Sequence, residues 1–234
     1  MRPVAIFQHA SSEGPGHFAT YLDAHSLPWR IIRTDVDKLP ATTRDFSGIA
    51  VMGGPMSAND ELPWIPCVLD TIREAMAADI PVIGHCLGGQ LMSRALGGTV
   101  SRNPVKEIGW GDVAVADNAE AGRWFGDGLR GFTTFQWHGD TFSIPPGATA
   151  VLSSPHCANQ AFVVGRHLGL QCHVEMNRAM VESWCASGAR EISESAGPAV
   201  QSAEEIRRDL DQRLARLHDI ADRLYARWAA GLLR

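Results

Sequence analysis

The stretch PVIGHCLGGQ, from Pro81 to Gln90, decides the fold of this 234-residue chain. Its first half is apolar and partly β-branched, which predicts a buried strand, and the QLMSRALGG that follows has helical spacing. Gly84 and Gly88 lie two residues on either side of Cys86. This spacing is typical of a strained strand-turn-helix elbow, because small neighbours let the backbone pass close to itself.

Similar strand-like segments precede this elbow in the chain. They are apolar, bounded by Gly, Pro or Asp, and lie at residues 3–9, 29–35, 47–54 and 80–86. Between them, GHFATYLDAHSL and WIPCVLDTIREAMAAD have the spacing of amphipathic helices. The alternation predicts an α/β fold with a doubly wound, mostly parallel central sheet.

The second half of the chain has a different texture. Shorter, alternating runs between residues 97 and 171 predict an antiparallel extension of the same sheet. A loop rich in Ser and Gly is predicted over 187–202, followed by a long C-terminal amphipathic helix with apolar residues every three or four positions. We expect one domain over residues 1–186, on which the loop and helix of 187–234 pack; the alternative is a helix contact in a homodimer.

Composition narrows the function classes. The net charge of -5 provides no basic stripe, so no nucleic-acid partner is expected. The apolar run of MRPVAIFQHA is too short for a signal peptide, and no segment approaches the ~20 apolar residues that span a bilayer, so we expect a cytoplasmic protein without a membrane contact. Five cysteines without a CxxC pair predict reduced thiols.

Two interpretations of Cys86 remain open at this point. A nucleophilic thiol needs a base and oxyanion donors, and the helix that follows would supply the amide of Leu87 and a dipole that favours the thiolate. The alternative is a small buried residue, which is the usual fate of a free cysteine.

A second candidate motif lies in GLQCHVEM, where His173 and Glu175 are two residues apart. A carboxylate within reach of the far ring nitrogen would fix the imidazole tautomer, from the same strand face or from a loop just past the strand. A surface pair or a metal ligand is the alternative. A metal site made with Cys172 and His138 is disfavoured, because Cys172 and His173 are adjacent and face opposite ways on a strand.

Together these motifs resemble those of the class I, triad-type glutamine amidotransferases over about residues 6–176. Such domains have a G-x-C-x-G-x-Q elbow, an H-x-E pair and a Gly-Gly-Pro turn after the third strand. The glutaminase domain of GMP synthetase adds an HGD segment, found here in QWHGDTF. The matching residues are Gly84, Cys86, Gly88 and Gln90 for the elbow, His173 and Glu175 for the pair, Gly53, Gly54 and Pro55 for the turn, and 136–142 for the last segment.

The resemblance implies the hydrolysis of a γ-carboxamide, of glutamine or of a γ-glutamyl compound, through a cysteine thioester and without a cofactor or metal. In this assignment Cys86 is the nucleophile, His173 is the base and Glu175 orients it. The amides of Gly54 and Leu87 form the oxyanion hole. The substrate is expected at Gly53, Gln90, Gln136, Trp137 and His138.

Three residues depart from the family pattern. Val174 replaces a common proline and is expected to point away from the site. His85 stands where relatives usually have an apolar residue, as an ordinary strand residue or as a second imidazole that perturbs the thiol. Trp137 replaces a small residue, which predicts a narrower or reshaped pocket.

Three functions remain open. The ammonia could pass to a separate synthetase subunit, because the roughly sixty residues after Glu175 contain no P-loop and no synthetase-sized segment. The chain could instead hydrolyse γ-glutamyl compounds alone, as the similar plant γ-glutamyl peptidases do. A non-catalytic regulatory or binding subunit that retains the glutaminase fold is the third.

Overall fold

The computed structural model describes residues 1–195 and 197–233, in which one nine-stranded sheet carries helices on both faces. The strands, in chain order, are β1 Val4–Gln8, β2 Trp29–Arg33, β3 Gly48–Val51, β4 Val82–His85, β5 Val100–Val115, β6 Gly131–Phe142, β7 Thr149–Ser153, β8 Ala161–Val164 and β9 His167–Leu170. The helices are α1 Gly16–Ala24, α2 Trp64–Ala77, α3 Leu87–Ala95, α4 Ala119–Phe125, α5 Arg178–Ser187, α6 Ala189–Glu194, α7 Ala203–Arg207 and α8 Leu210–Ala229.

The sheet has a parallel half and an antiparallel half. Its order is β2-β1-β3-β4-β9-β8-β7-β5-β6; β2, β1, β3, β4 and β9 pair in parallel and the remaining pairs are antiparallel. The predicted doubly wound sheet with an antiparallel extension is confirmed. One detail differs. The runs GTVSR and GWGDVAVA, which predict two short strands, both contribute to the single strand β5, which is irregular between Arg102 and Glu107.

Alternate residues of the parallel strands enter two separate cores. Along β1, Val4 and Ile6 pack with α1 and α8, whereas Ala5 and Phe7 pack with α2 and α3. Continuous apolar runs are what a parallel strand needs when both of its faces are buried. The carboxyl ends of β1, β3, β4 and β9 then meet at one edge of the sheet, where ligands bind in open α/β sheets.

The C-terminal region differs from its prediction in two places. The long helix α8 is present, but it is separated from α7 at Arg208 and Asp209, where Asp209 adopts a left-handed conformation with φ +54°. A short polar side chain tolerates that conformation better than most residues, so the chain turns there. The predicted loop over 187–202 contains α6.

The helix α8 packs on its own domain. Its apolar face is buried in the core, and Tyr225 and Trp228 contact Phe18 of α1 edge-on. Ala196 and Arg234, which belong to the predicted C-terminal segment, lie outside the described residues, and the boundary at residue 186 stays a prediction. Across residues 1–195 and 197–233, no helix has both the length and the apolar character needed to cross a membrane.

Candidate active site

Cys86 occupies a strained turn between β4 and α3. Its φ of +50° and ψ of −108° lie outside the regions that ordinary residues adopt, and such strain concentrates at functional sites. The flanking glycines are required by space: a Cβ at Gly84 would collide with the backbone of Gly88, and one at Gly88 would collide with the carbonyl of Val51. The predicted elbow is therefore present, with the thiol at the N-terminus of α3.

His173 and Glu175 follow β9, in a loop just past the end of the strand. The amide of His173 donates to the carbonyl of Phe135 at 2.8 Å, which ties this loop to β6. The Nδ1–H of His173 donates to Oε1 of Glu175 at 2.6 Å, and the two side chains are 1% and 2% exposed. Nε2 of His173 is buried without a conventional hydrogen bond in the described part of the chain, so it is available to a reacting group.

The ring of His173 faces the thiol of Cys86. Burial alone would lower the pKa of His173, but the charge of Glu175, the nearby thiol of Cys86 and the hydrogen bond to Glu175 raise it well above its usual value. Burial would raise the pKa of Glu175, whereas the charges of His173 and His85 and the hydrogen bond from His173 hold it below its usual value. The arrangement can carry a proton between the thiol and a leaving group.

A cavity of about 610 Å³ opens at this edge of the sheet, within the roughly 300–1,000 Å³ of small-molecule sites. Of the residues predicted to act, it is lined by Gly54, Cys86, Gln90, Trp137, His138 and His173.

The other four predicted residues lie next to the cavity or behind it. Gly53 and Leu87 are chain neighbours of lining residues, and Glu175 contacts His173. Gln136 is 1% exposed, and neither of its amide atoms has a hydrogen bond within residues 1–195 and 197–233. Its contact with a substrate stays a prediction.

A pair of glutamines supports the elbow. Nε2 of Gln90 donates to Oε1 of Gln171 at 3.1 Å, and Nε2 of Gln171 donates to Sγ of Cys86 at 3.6 Å. Gln171 was not singled out from the sequence, although it stands two residues before His173. This chain of contacts fixes the position of the thiol relative to β9.

The helix α6 forms one wall of the cavity, which sequence analysis missed because it predicted a loop there. Nε1 of Trp137 donates to Oε2 of Glu191 at 2.9 Å, and Nζ of Lys106 pairs with Oε1 at 2.6 Å. Burial would raise the pKa of Glu191, but these two partners hold it below its usual value. Trp137 therefore packs against the C-terminal region and shapes the outer part of the cavity.

Behind His138 lies a cluster of Glu107, His138 and Cys157 whose ligand-type atoms lie within 4.8 Å of one another. Such a set could hold a metal ion. The carboxylate of Glu107, however, already accepts from Ser154 at 2.9 Å and from Gln160 at 2.8 Å, and it lies 3.1 Å from His138. We interpret the cluster as a hydrogen-bonded support for β6 at the cavity.

His85 points away from the thiol, toward Glu175 and Tyr225. Its Nε2 lies 3.9 Å from Oε2 of Glu175 and 3.3 Å from the hydroxyl of Tyr225 on α8. Burial lowers the pKa of His85 below its usual value. Val174, as expected, is directed into the apolar core. His85, one of the three residues that depart from the family pattern, thus connects Glu175 of the candidate triad to the C-terminal helix.

Comparisons with known proteins identify the family and support the fold. The family described as glutamine amidotransferase class-I matches residues 19–180. A crystal structure of a glutamine amidotransferase from Methylobacillus flagellatus has a TM-score of 0.97 at 50% identity, covering 100% of this chain and 96% of that one.

Two curated relatives differ in length. The glutamine amidotransferase-like protein YfeJ of Salmonella typhimurium is 29% identical over 214 residues, covering 85% of this chain and 87% of that protein. The glutamine-hydrolysing GMP synthase of Aeropyrum pernix is 28% identical over 196 residues, covering 78% of this chain but 36% of that enzyme. The family match extends over more than half of the chain and includes the elbow. The chain therefore belongs to the class I glutamine amidotransferase family.

Proposed function

We propose that this protein hydrolyses a γ-carboxamide, of glutamine or of a γ-glutamyl compound, through a thioester on Cys86. The observation that carries the proposal is the 2.6 Å hydrogen bond from His173 to Glu175, together with the position of His173 and Cys86 in the lining of one cavity. The alternative from another functional class is a non-catalytic subunit. Burying this charged pair costs free energy, and a non-catalytic subunit would gain nothing from it.

In the acylation step, His173 takes the proton of the Cys86 thiol and Sγ attacks the γ-carbonyl carbon. The carbonyl oxygen becomes an oxyanion, to which we assign the amides of Gly54 and Leu87. The C–N bond then breaks, His173 delivers its proton to the leaving nitrogen, and ammonia or an amine departs.

In the deacylation step, His173 removes a proton from water, which attacks the thioester carbon. The C–S bond breaks, the thiol recovers its proton from His173 and glutamate is released. Throughout both steps Glu175 stays ionised, and its hydrogen bond keeps Nε2 of His173 directed at the reacting atoms.

We assign the amino-acid end of the substrate to Gln90, Trp137 and His138. These residues line the cavity and belong to α3 and β6. His138 is oriented by the carbonyl of Asp140 at 2.9 Å and by Glu107. An ordered wall of this kind lowers the entropic cost of positioning a flexible amino acid.

A separate synthetase subunit that accepts ammonia is the second part of the proposal. Its support is the similarity of the chain to part of the glutamine-hydrolysing GMP synthase of Aeropyrum pernix. If such a partner exists, its addition should raise glutamine turnover, whereas a protein that acts alone should turn over glutamine or a γ-glutamyl compound at full rate without it.

The experiment is to measure glutamate formation from glutamine and from γ-glutamyl dipeptides with wild type, C86A and C67A. Cys67 is exposed on α2 and serves as the matched thiol control. We expect C86A to abolish turnover with an unchanged melting temperature, and C67A to retain it. A diazoketone analogue of glutamine should label Cys86 alone. Turnover by C86A, or equal labelling of all thiols, would contradict the proposal.

A further inference from the structure

Glu13 is a carboxylate at the cavity that the mechanism above does not use. It lies in the loop between β1 and α1, is partly buried and lines the cavity together with Ser12. Sequence analysis did not single it out, because an acidic residue in a loop is ordinarily solvated.

The loop that carries Glu13 is fastened to the candidate triad. The amide of His17 donates to the carbonyl of Glu175 at 2.7 Å, and Nε1 of Trp184 donates to the carbonyl of Ser12 at 2.9 Å. A Cβ at Gly16, whose φ is +48°, would collide with the same carbonyl of Glu175. The position of Glu13 is therefore determined by the segments that hold the triad.

Glu13 reaches the cavity on the side of His173. A Cβ placed on Gly53 would collide with Oε2 of Glu13 and would lie 3.3 Å from Cε1 of His173. The carboxylate and the imidazole therefore flank the same glycine, next to the proposed oxyanion residue Gly54. This side of the cavity is where His173 would deliver its proton to the leaving nitrogen.

The surroundings of the Glu13 carboxylate differ from those of Glu191, another glutamate that lines the cavity. Across residues 1–195 and 197–233, the carboxylate oxygens of Glu13 form no hydrogen bond and no ion pair, whereas those of Glu191 form both. Burial raises the pKa of Glu13 to about 7; the charge of His173 opposes this shift and that of Glu175 adds to it. A donor or a cation in the cavity would stabilise the ionised form.

We propose that Glu13 binds the leaving group: its carboxylate accepts an N–H of the scissile carboxamide and then holds the ammonia or amine as it departs. Glu13 neither gains nor loses a proton, since the proton on the leaving nitrogen comes from His173. This inference rests on the proposed function and names its substrate class.

The substrate class follows from the sign of the charge. Ammonia and simple alkylamines are basic and bear no anionic group, so a carboxylate beside them is favourable. The leaving group of a γ-glutamyl dipeptide has a carboxylate close to the scissile nitrogen, which Glu13 would repel. Glutamine and γ-glutamyl alkylamides are therefore preferred over γ-glutamyl amino acids.

The experiment compares kcat/KM for L-glutamine and for γ-glutamylglycine above pH 8, where a carboxyl with a pKa of about 7 is ionised, and follows glutamate formation from each. In E13Q, which keeps the shape and removes the charge, the preference for glutamine should fall about 10- to 100-fold, as expected for one hydrogen bond to a charged group. E13D keeps the charge and should retain most of the preference. E194Q removes a carboxylate from an exposed position of α6 that does not line the cavity, and it should leave the preference at its wild-type value.

Each outcome decides between the alternatives. A wild type that is active, with an unchanged preference in E13Q, overturns the inference and leaves the proposed function intact. Equal losses on both substrates in E13Q, with a lowered melting temperature, assign Glu13 a structural role and also overturn it. A wild type that forms glutamate from neither substrate overturns the proposed function and the inference together.

Discussion

The end of β4 and the loop after β9 each bring one histidine to the carboxylate of Glu175. His173 donates to Oε1 at 2.6 Å, whereas Nε2 of His85 lies 3.9 Å from Oε2. Both rings are buried, yet the pKa of His173 is raised and that of His85 is lowered. The carboxylate of Glu175 thus lies near two imidazoles, of which His173 favours its charged form and His85 its neutral form.

The difference comes from direct contact. Burial lowers the pKa of both histidines, because a low-dielectric interior disfavours the charged form. His173 compensates for this with a hydrogen bond and with the thiol of Cys86. His85 lies 3.9 Å from the carboxylate, beyond hydrogen-bond distance, and is also repelled by the charge of His173. Proximity to a carboxylate is therefore insufficient for a buried imidazolium, which also needs a direct hydrogen bond to it.

The largest expected effect is that of His173→Ala. Loss of the base should lower kcat by about 10²- to 10⁴-fold, the range attributed to a positioned proton-transfer group. His85→Ala is the matched change on the other side of the same carboxylate and should have a much smaller effect on kcat. Steady-state glutamate formation with both variants checks this, and equal losses would contradict the distinction between the two rings.

Glu175→Gln should be milder. The amide keeps the size of the side chain but removes the charge that raises the pKa of His173, so kcat should fall about 10- to 100-fold, the cost of one hydrogen bond to a charged group. An NMR titration of the His173 ring should show its pKa lowered toward that of a buried neutral imidazole. An unchanged titration would mean that Glu175 does not control this proton.

His85→Gln tests the neutral ring through the pH dependence of stability. The pKa of His85 is lower in the folded state than in the unfolded state, so below about pH 6.5 only the unfolded chain takes up its proton. The stability of the wild type therefore falls as the pH drops below that value. His85→Gln should make this fall less steep, since one such group is removed.

Urea unfolding at a series of pH values between 7 and 5 measures the slope. His9 and His167, whose burial lowers their pKa values to about 3 and about 4, contribute in the same direction and remain in the variant. A partial reduction of the slope is expected, and an unchanged slope would show that His85 does not stay neutral in the folded state.

Tyr225→Phe should have the smallest effect. It removes the hydroxyl that lies 3.3 Å from Nε2 of His85, at a cost of about 0.5–1.5 kcal/mol in the free energy of unfolding, with turnover retained. Tyr21 is the other tyrosine of the chain, and its hydroxyl forms no hydrogen bond within the described residues, so Tyr21→Phe is the control. Denaturant unfolding should separate the two variants.

The parts of this protein that were predictable depend on short stretches of chain. Apolar runs bounded by turn residues identified the strands, and the two glycines around Cys86 identified the elbow, because each pattern reflects a local steric requirement. The helix α6 was not predictable in the same way. Its segment is rich in Ser and Gly, and its contact with Trp137 through Glu191 comes from packing against β6.

The amino-acid sequence alone was sufficient to predict the parallel half of the sheet, the long C-terminal helix and the family, since periodicity and glycine placement act over a few residues. Tertiary structure decided which groups meet at the cavity and behind it. His85 and Tyr225 near Glu175, and Glu13 beside His173, are brought together from distant positions by the parallel order of β1, β3, β4 and β9. Their ionisation depends on burial and on partners at a few ångströms, which exist only in the folded chain.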